Sequence, residues 1–103
     1  MEHSKIIELV LWEFRDNVNI QQGKEYVLKL NEFVKMQPGF ISRITSVTKE
    51  GKFLDIIYWS DLASAKKASE KAMENEMTTT IFSTMNEKGM IFQHFEIFNM
   101  INK

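Results

Sequence analysis

The chain has 103 residues, of which 44% are hydrophobic and 26% charged, and we expect a single globular domain over residues 1–103. Its formal net charge of −1 lacks the basic excess of nucleic-acid-binding proteins, so no nucleic-acid partner is predicted. The absence of cysteine excludes disulfides, thiolate nucleophiles and zinc–thiolate sites.

The first half of the chain predicts a strand, a helix and a second strand. Residues 6–15 are rich in Ile, Val, Leu and aromatic side chains, which is typical of a strand with two apolar faces. Across residues 20–36 the apolar positions recur with the period of a helix, and Pro38 and Gly39 end it. Residues 40–48 alternate between apolar and polar side chains and predict a strand nearer the edge of a sheet.

The second half of the chain predicts a strand, two helical segments and a last strand. Residues 53–59 form the predicted third strand, and residues 60–76 a helix whose buried face consists largely of alanine. Residues 77–85 have helical spacing but contain three threonines, which are poor helix formers, so a short irregular helix is expected. Residues 86–89, NEKG, predict a turn, and residues 91–99 the last strand.

The order β-α-β-β-α-β predicts an α+β protein with the ferredoxin-like fold. Right-handed crossovers would place both helices on one face of a four-stranded antiparallel sheet. The first and last strands are apolar on both faces, so the sheet would leave a large apolar surface opposite the helices. We therefore expect a homodimer in which two such sheets pack face to face, a dimeric α+β barrel.

The cellular location is predicted from what the chain lacks. The N-terminus shows no signal-peptide pattern, and no apolar stretch is long enough to span a bilayer. The lack of cysteine agrees with a reducing compartment. These observations predict a cytoplasmic protein with no membrane partner.

Three stretches of the chain carry the pattern of a known family. They are QPGFISR at residues 37–43, FLDIIYWSDLASAKKA at 53–68, and FSTMNEKGMIFQHFEIF at 82–98. In them the chain resembles the antibiotic-biosynthesis-monooxygenase-like domains of the dimeric α+β barrel superfamily. That superfamily includes cofactor-free quinone-forming monooxygenases, heme-degrading enzymes, polyketide cyclases and small isomerases, so the resemblance implies a fold more firmly than an activity. The heme-degrading members carry a Trp and a His on the second helix, and this chain has neither in residues 60–85, so the resemblance implies no heme and no other cofactor.

The titratable residues considered for a chemical role lie in the predicted strands. His94 is the only histidine in such an element, since His3 lies near the N-terminus, and Glu96 shares its face about 7 Å along the strand. The pair could act as general base and orienting group, or His94 could simply hydrogen-bond a neighbour and fill space. One His and one Glu are too few for an ordinary metal site, so no metal is predicted. Asp55 is expected to pair with Arg43 on the neighbouring strand rather than to act in catalysis.

An unusual load of large flat or flexible side chains predicts a pocket for an apolar or aromatic small molecule. Core packing is the commoner role of such residues, and it remains the alternative for each of them. An indole could equally stack on an aromatic ligand. The candidate pocket residues are Trp12, Trp59, Phe82, Met85 and Phe92.

Three functions fit these patterns. The first is a small cofactor-independent monooxygenase, or a cyclase, that acts on an aromatic or polyketide-like molecule. The second is a non-catalytic small-molecule-binding or stress-related dimer that uses the same pocket, and the third is a purely structural module. A closed, large cavity between sheet and helices that contains His94 would favour the first two, and a solidly packed layer the third. Only turnover would separate the first two.

Overall fold

The computed structural model describes residues 5–103, so His3 lies outside it. The predicted elements are present in the predicted order, and the irregular segment after the second helix is a short third helix. The elements are β1 (Ile6–Phe14), α1 (Ile20–Val34), β2 (Phe40–Val47), β3 (Lys52–Trp59), α2 (Leu62–Glu74), α3 (Glu76–Phe82) and β4 (Met85–Glu96).

The four strands form one antiparallel sheet in the order β2-β3-β1-β4. This is the strand order of the ferredoxin-like fold, so the predicted fold class is confirmed. All three helices lie on one face of the sheet, since each contributes buried side chains to clusters that contain residues of β1 or β3. In the part of the chain that the structure describes, no helix is both long and apolar enough to cross a membrane.

Each helix begins at a polar side chain that accepts a hydrogen bond from a backbone N–H of its first turn. Asn19 and Gln22 form a reciprocal capping box at the start of α1. At the start of α2, Asp61 accepts a hydrogen bond from the N–H of Ser64 at 2.7 Å. At the start of α3, Asn75 accepts one from the N–H of Thr78. The cap on Asn75 lets a new helix begin directly after α2 ends, in spite of the threonines that follow.

Two buried clusters fill the space between sheet and helices. Trp12 stacks on Phe53 with a centroid distance of 5.4 Å, and Ile81 of α3 packs against the same cluster. Trp59 lies in the second cluster together with Ala65, which is fully buried. Small side chains on α2 therefore let that helix approach β3 closely, as the alanine-rich face predicts.

The predicted turn at residues 86–89 is wrong, because these residues belong to β4. The strand begins at Met85, opposite Phe14, and its pairing with β1 shifts register before Ile91. Gly89 lies in the shifted segment with φ of 78°, a conformation that favours glycine. The glycine thus serves a bulge inside the strand and does not end one.

The face of the sheet opposite the helices is mostly apolar. Leu9 on β1 lies at its centre, paired with Ile56 of β3 and Gln93 of β4. Side chains toward both edges remain open to solvent, with Ile44 at 53% and Phe95 at 44% exposure. We call this surface, made of Ile7, Leu9, Leu11, Ile44, Leu54, Ile56, Tyr58, Ile91 and Phe95 with a few polar neighbours, the open sheet face.

Candidate functional site

A cavity of about 450 Å³ lies between the helices and the helix-facing side of the sheet. Its volume falls within the range of about 300–1,000 Å³ that small-molecule sites usually have. Strand β1, helices α1, α2 and α3, and the start of β4 all contribute to its walls. Every residue proposed from the sequence as a pocket residue lines it, namely Trp12, Trp59, Phe82, Met85 and Phe92.

The walls on the helix side are held in place by a buried threonine. Thr78 is fully buried, lines the cavity, and bonds through its hydroxyl to the carbonyl oxygen of Ala72 in the last turn of α2. Its Oγ1 also lies 3.0 Å from the carbonyl oxygen of Asn75. Side-chain hydrogen bonds of this kind close α3 onto α2 and keep Phe82 over the cavity.

Glu8 is the buried carboxyl of β1, and it lines the cavity. It lies directly opposite His94 on β4, whose Nε2 is 3.0 Å from Oε1 of Glu8. Burial raises the pKa of Glu8 above its usual value, while the hydrogen bond and the charge of His94 act in the opposite direction. A carboxyl adjusted in this way, and open to a cavity, is suited to accept a proton from a bound molecule.

His94 lies on the helix-facing side of β4, as predicted, and the carboxylate that it bonds is Glu8. His94 does not itself line the cavity, and Glu8 stands between it and that space. The partner considered from the sequence, Glu96, is exposed at the end of β4, where it pairs with Ile6. Sequence reasoning missed Glu8, although one signal was present. A charged residue stands between Ile6 and Val10 in a row of side chains that otherwise faces the core.

The predicted pair of Asp55 and Arg43 is confirmed, and both residues line the cavity. Two nitrogens of the guanidinium each lie 2.9 Å from a different carboxylate oxygen, the bidentate arrangement that Arg prefers. Thr45 donates to the same carboxylate, and Asn31 accepts from Arg43 at 2.9 Å. Both charges are therefore satisfied within the protein, which gives the pair a structural role. Both charges also act on Glu8: the charge of Asp55 raises the pKa of Glu8, and the charge of Arg43 lowers it.

Among the described residues that line the cavity, Trp12 and Gln37 each have a buried polar side-chain atom without a hydrogen-bond partner, Nε1 and Oε1 respectively. Nε1 of Trp12 makes no hydrogen bond to any residue in the range 5–103. An unmade hydrogen bond of a buried donor costs about 1–3 kcal/mol. Over the same range, no group of three or more His, Asp or Glu side chains is arranged to hold a metal ion.

Replacing Glu8 by Gln is expected to stabilise the fold, and the gain is expected to grow with pH. A carboxyl with a raised pKa in the folded state contributes stability below its unfolded pKa, near 4.5, and loses it as pH rises through the folded pKa. The amide does not titrate, so urea unfolding between pH 4 and pH 8 should show a widening difference in free energy of unfolding. Glu13→Gln, an exposed change on the same strand, should shift stability by less than about 0.5 kcal/mol throughout. If the difference in free energy of unfolding between Glu8→Gln and the wild type narrowed as pH rose, burial would not be what raises the pKa of Glu8.

No protein-family model and no curated protein sequence matches this chain significantly. Solved structures do. A mutant of SnoaB, a cofactor-independent oxygenase from Streptomyces nogalater, matches with a TM-score of 0.79 and 11% identity over 97% of this chain and 99% of that one. The monooxygenase of the gene ActVA-Orf6 from Streptomyces coelicolor, in complex with nanaomycin D, matches with a TM-score of 0.74 and 12% identity over 100% and 96%.

The same likeness extends to a protein of unknown function from Nitrosomonas europaea, with a TM-score of 0.71 and 8% identity over 100% of this chain and 98% of that one. Identities this low establish the fold and not the reaction. The resemblance predicted from the sequence is confirmed at that level. The chain has the ferredoxin-like fold that these solved structures share.

Proposed function

We propose that the protein is a small monooxygenase that oxidises an electron-rich aromatic or polyketide-like molecule with O₂ and needs no cofactor. The observation that carries the proposal is the buried carboxyl of Glu8, which lines an apolar cavity of ligand size and bonds His94. The shared fold with SnoaB, a cofactor-independent oxygenase, supports the reaction class. The complex of the ActVA-Orf6 monooxygenase with nanaomycin D supports a small-molecule ligand.

The proposed reaction converts a phenol and O₂ into a quinone and water. Glu8 takes the hydroxyl proton of the bound phenol, and the resulting phenolate gives electrons to O₂. A carbon–oxygen bond forms at the ring carbon para to the hydroxyl, and the peroxide anion takes the proton back from Glu8 to give a hydroperoxide. Loss of the proton from that carbon then forms the new carbonyl and breaks the O–O bond. The second oxygen atom leaves as hydroxide, which takes up a proton and becomes water. The protein supplies a base and a dry cavity, since O₂ is the oxidant.

His94 is proposed as the positioning residue of Glu8. Its Nε2 holds one carboxylate oxygen at 3.0 Å, which leaves the other oxygen of Glu8 free to face the ligand. A protonated imidazole would favour the ionised carboxylate that the reaction requires. The sequence predicted His94 as the base and Glu96 as its orienting group. We propose instead that Glu8, which lines the cavity, is the base.

We also propose that the active form is a homodimer joined through the open sheet face. That surface presents apolar side chains from all four strands, and those of Ile44, Ile91 and Phe95 are about half exposed. A monomer that leaves so continuous an apolar sheet in water would associate. Burial of two such faces would give an interface of the larger size class, about 2,000 Å² or more.

A non-catalytic small-molecule-binding protein is the alternative. The observation that favours it is the pairing of three charged side chains of the cavity, since Arg43, Asp55 and Glu8 all have partners within the protein. An apolar cavity whose charged groups are paired in this way binds an aromatic molecule without any chemistry. Turnover separates this function from the enzyme.

Oxygen uptake with a naphthalenediol is the direct test. With 1,5-dihydroxynaphthalene in air-saturated buffer, the protein is expected to consume O₂ and form the hydroxyquinone at equal rates. With isotopically labelled O₂, one labelled atom should enter the product and one should enter water. If the diol binds but quinone forms no faster than in buffer alone, the protein is a binding protein and the oxygenase proposal fails.

A further inference from the structure

We propose that Glu87 sets the charge preference of the cavity: its carboxylate favours a ligand that carries a protonated amine and disfavours a ligand that carries a carboxylate. The inference rests on the proposed function, because it concerns the ligand of the same cavity. It adds a chemical property of that ligand, a cationic substituent at the end that faces solvent.

Glu87 lies where the cavity opens to solvent. Three of the residues that line the cavity are exposed: Met73 at the end of α2, and Glu87 and Phe92 on β4. Met73 is 67% exposed and Phe92 51%, whereas every other lining residue is buried or half-buried. We call these three residues the mouth of the cavity. A bound molecule that fills the cavity would therefore have one end beside them.

The carboxylate of Glu87 is the charge of the walls that nothing compensates. Arg43 and Asp55 neutralise each other through a bidentate ion pair. Glu8 is bonded to His94 at 3.0 Å. Within the described part of the chain, the carboxylate of Glu87 has neither an ion-pair partner nor a hydrogen-bond partner. The charged group that a ligand meets on entering is thus a single free carboxylate.

The setting of this carboxylate strengthens its effect on a ligand. A charge at the opening of a cleft with apolar walls acts more strongly on a ligand than the same charge on an open surface. Lys88 follows in the chain but does not line the cavity, and the alternation of a strand turns it to the other side of β4. The exposed ring of Phe92 adds a second group that attracts cations. The mouth therefore suits a protonated amine and repels a carboxylate.

A second role for Glu87 makes a different prediction. β4 is an edge strand of the sheet, and charged side chains on edge strands hinder pairing with other chains. If Glu87 served only that purpose, the charge of a ligand would not alter its affinity. Ligands that differ in charge and little else separate the two roles.

Three naphthalenes provide this test in isothermal titration calorimetry with the wild-type protein at neutral pH. They are 2-(aminomethyl)naphthalene, a cation, 2-(hydroxymethyl)naphthalene, which is neutral, and 2-naphthoic acid, an anion. At about 0.02 M salt the amine should bind about three- to tenfold more tightly than the alcohol, and the acid more weakly than the alcohol by a similar factor. At about 0.5 M salt both differences should shrink, because the interaction is electrostatic. Equal affinities at low salt, or no binding of the amine, would overturn the proposal.

Glu87→Gln assigns the preference to this residue. The amide keeps the size of the side chain and removes its charge, so the amine should lose most of its advantage while the alcohol binds as before. Glu96→Gln is the matched control, since it makes the same change at an exposed residue of β4 outside the cavity, and it should keep the wild-type order. If the amine keeps its full advantage in Glu87→Gln, another carboxylate is responsible and the proposal fails.

The outcomes also separate this inference from the oxygenase proposal. Oxygen uptake by a protein that binds all three naphthalenes equally would leave the reaction standing and remove the role of Glu87. A preference for the amine that Glu87→Gln abolishes, without oxygen uptake, would keep that role and remove the reaction.

Discussion

Glu8→Gln is expected to lower the turnover number about 10²–10⁴-fold, the usual contribution of a general base. The amide keeps the size of the side chain and can still hydrogen-bond His94, so the cavity should keep its shape. It cannot take the hydroxyl proton, which is the first step proposed. Steady-state oxygen uptake with the naphthalenediol measures the loss, and calorimetry with 2-naphthol shows whether binding survives.

Glu13→Gln is the matched control for this experiment. It makes the same chemical change on the same strand at an exposed residue outside the cavity, and its turnover should equal that of the wild type. Full activity of Glu8→Gln would show that Glu8 is not the base.

His94→Gln tests the positioning role through the pH profile of the rate. The substitution removes the charge of His94 and alters its hydrogen bond to Glu8, and both of these interactions lower the pKa of Glu8. The acidic limb of the profile should therefore move to higher pH. A merely structural histidine would change stability and leave the limb in place.

The fold could be predicted from the sequence because each element has a local signal. The helical period of α1 ends at Pro38, the alternation of β2 predicts an edge strand, and the alanine-rich face of α2 predicts close packing, and all three agree with the structure. The error at residues 86–89 has a physical reason. Asn, Lys and Gly in sequence are typical of a turn, and only the pairing with β1 decides that the glycine serves a bulge.

The site was harder to predict because it depends on contacts between distant residues. The apolar residues of the cavity could be named, since large side chains in strands that face helices are easy to recognise. The partner of His94 could not, because Glu8 is 86 residues away and only the register of β1 against β4 brings the two together. Sequence distance favoured Glu96, which is near in the chain and exposed in the fold. The unpaired N–H of Trp12 had no sequence signal at all.

Leu9→Lys is expected to dissociate the proposed homodimer. Leu9 lies on the central strand β1, at the middle of the open sheet face, and its neighbours there are Ile56 and Gln93. In a face-to-face dimer the new ammonium would be buried in each copy without a carboxylate partner. An unpaired buried charge costs about 3–5 kcal/mol, so the dimer dissociation constant should rise at least about 10²–10³-fold. Sedimentation equilibrium at micromolar concentration should then show a monomer where the wild type shows a dimer.

A matched change on the helix layer separates the interface from a general effect of added charge. Leu28 on α1 is 65% exposed and lies outside the open sheet face, so Leu28→Lys should leave the dimer intact. Far-ultraviolet circular dichroism of Leu9→Lys should retain the native spectrum if the side chain serves the interface, because Leu9 faces away from the cores around Trp12 and Trp59. A folded Leu9→Lys protein with the mass of a dimer would rule out face-to-face packing. The apolar surface opposite the helices would then need another partner.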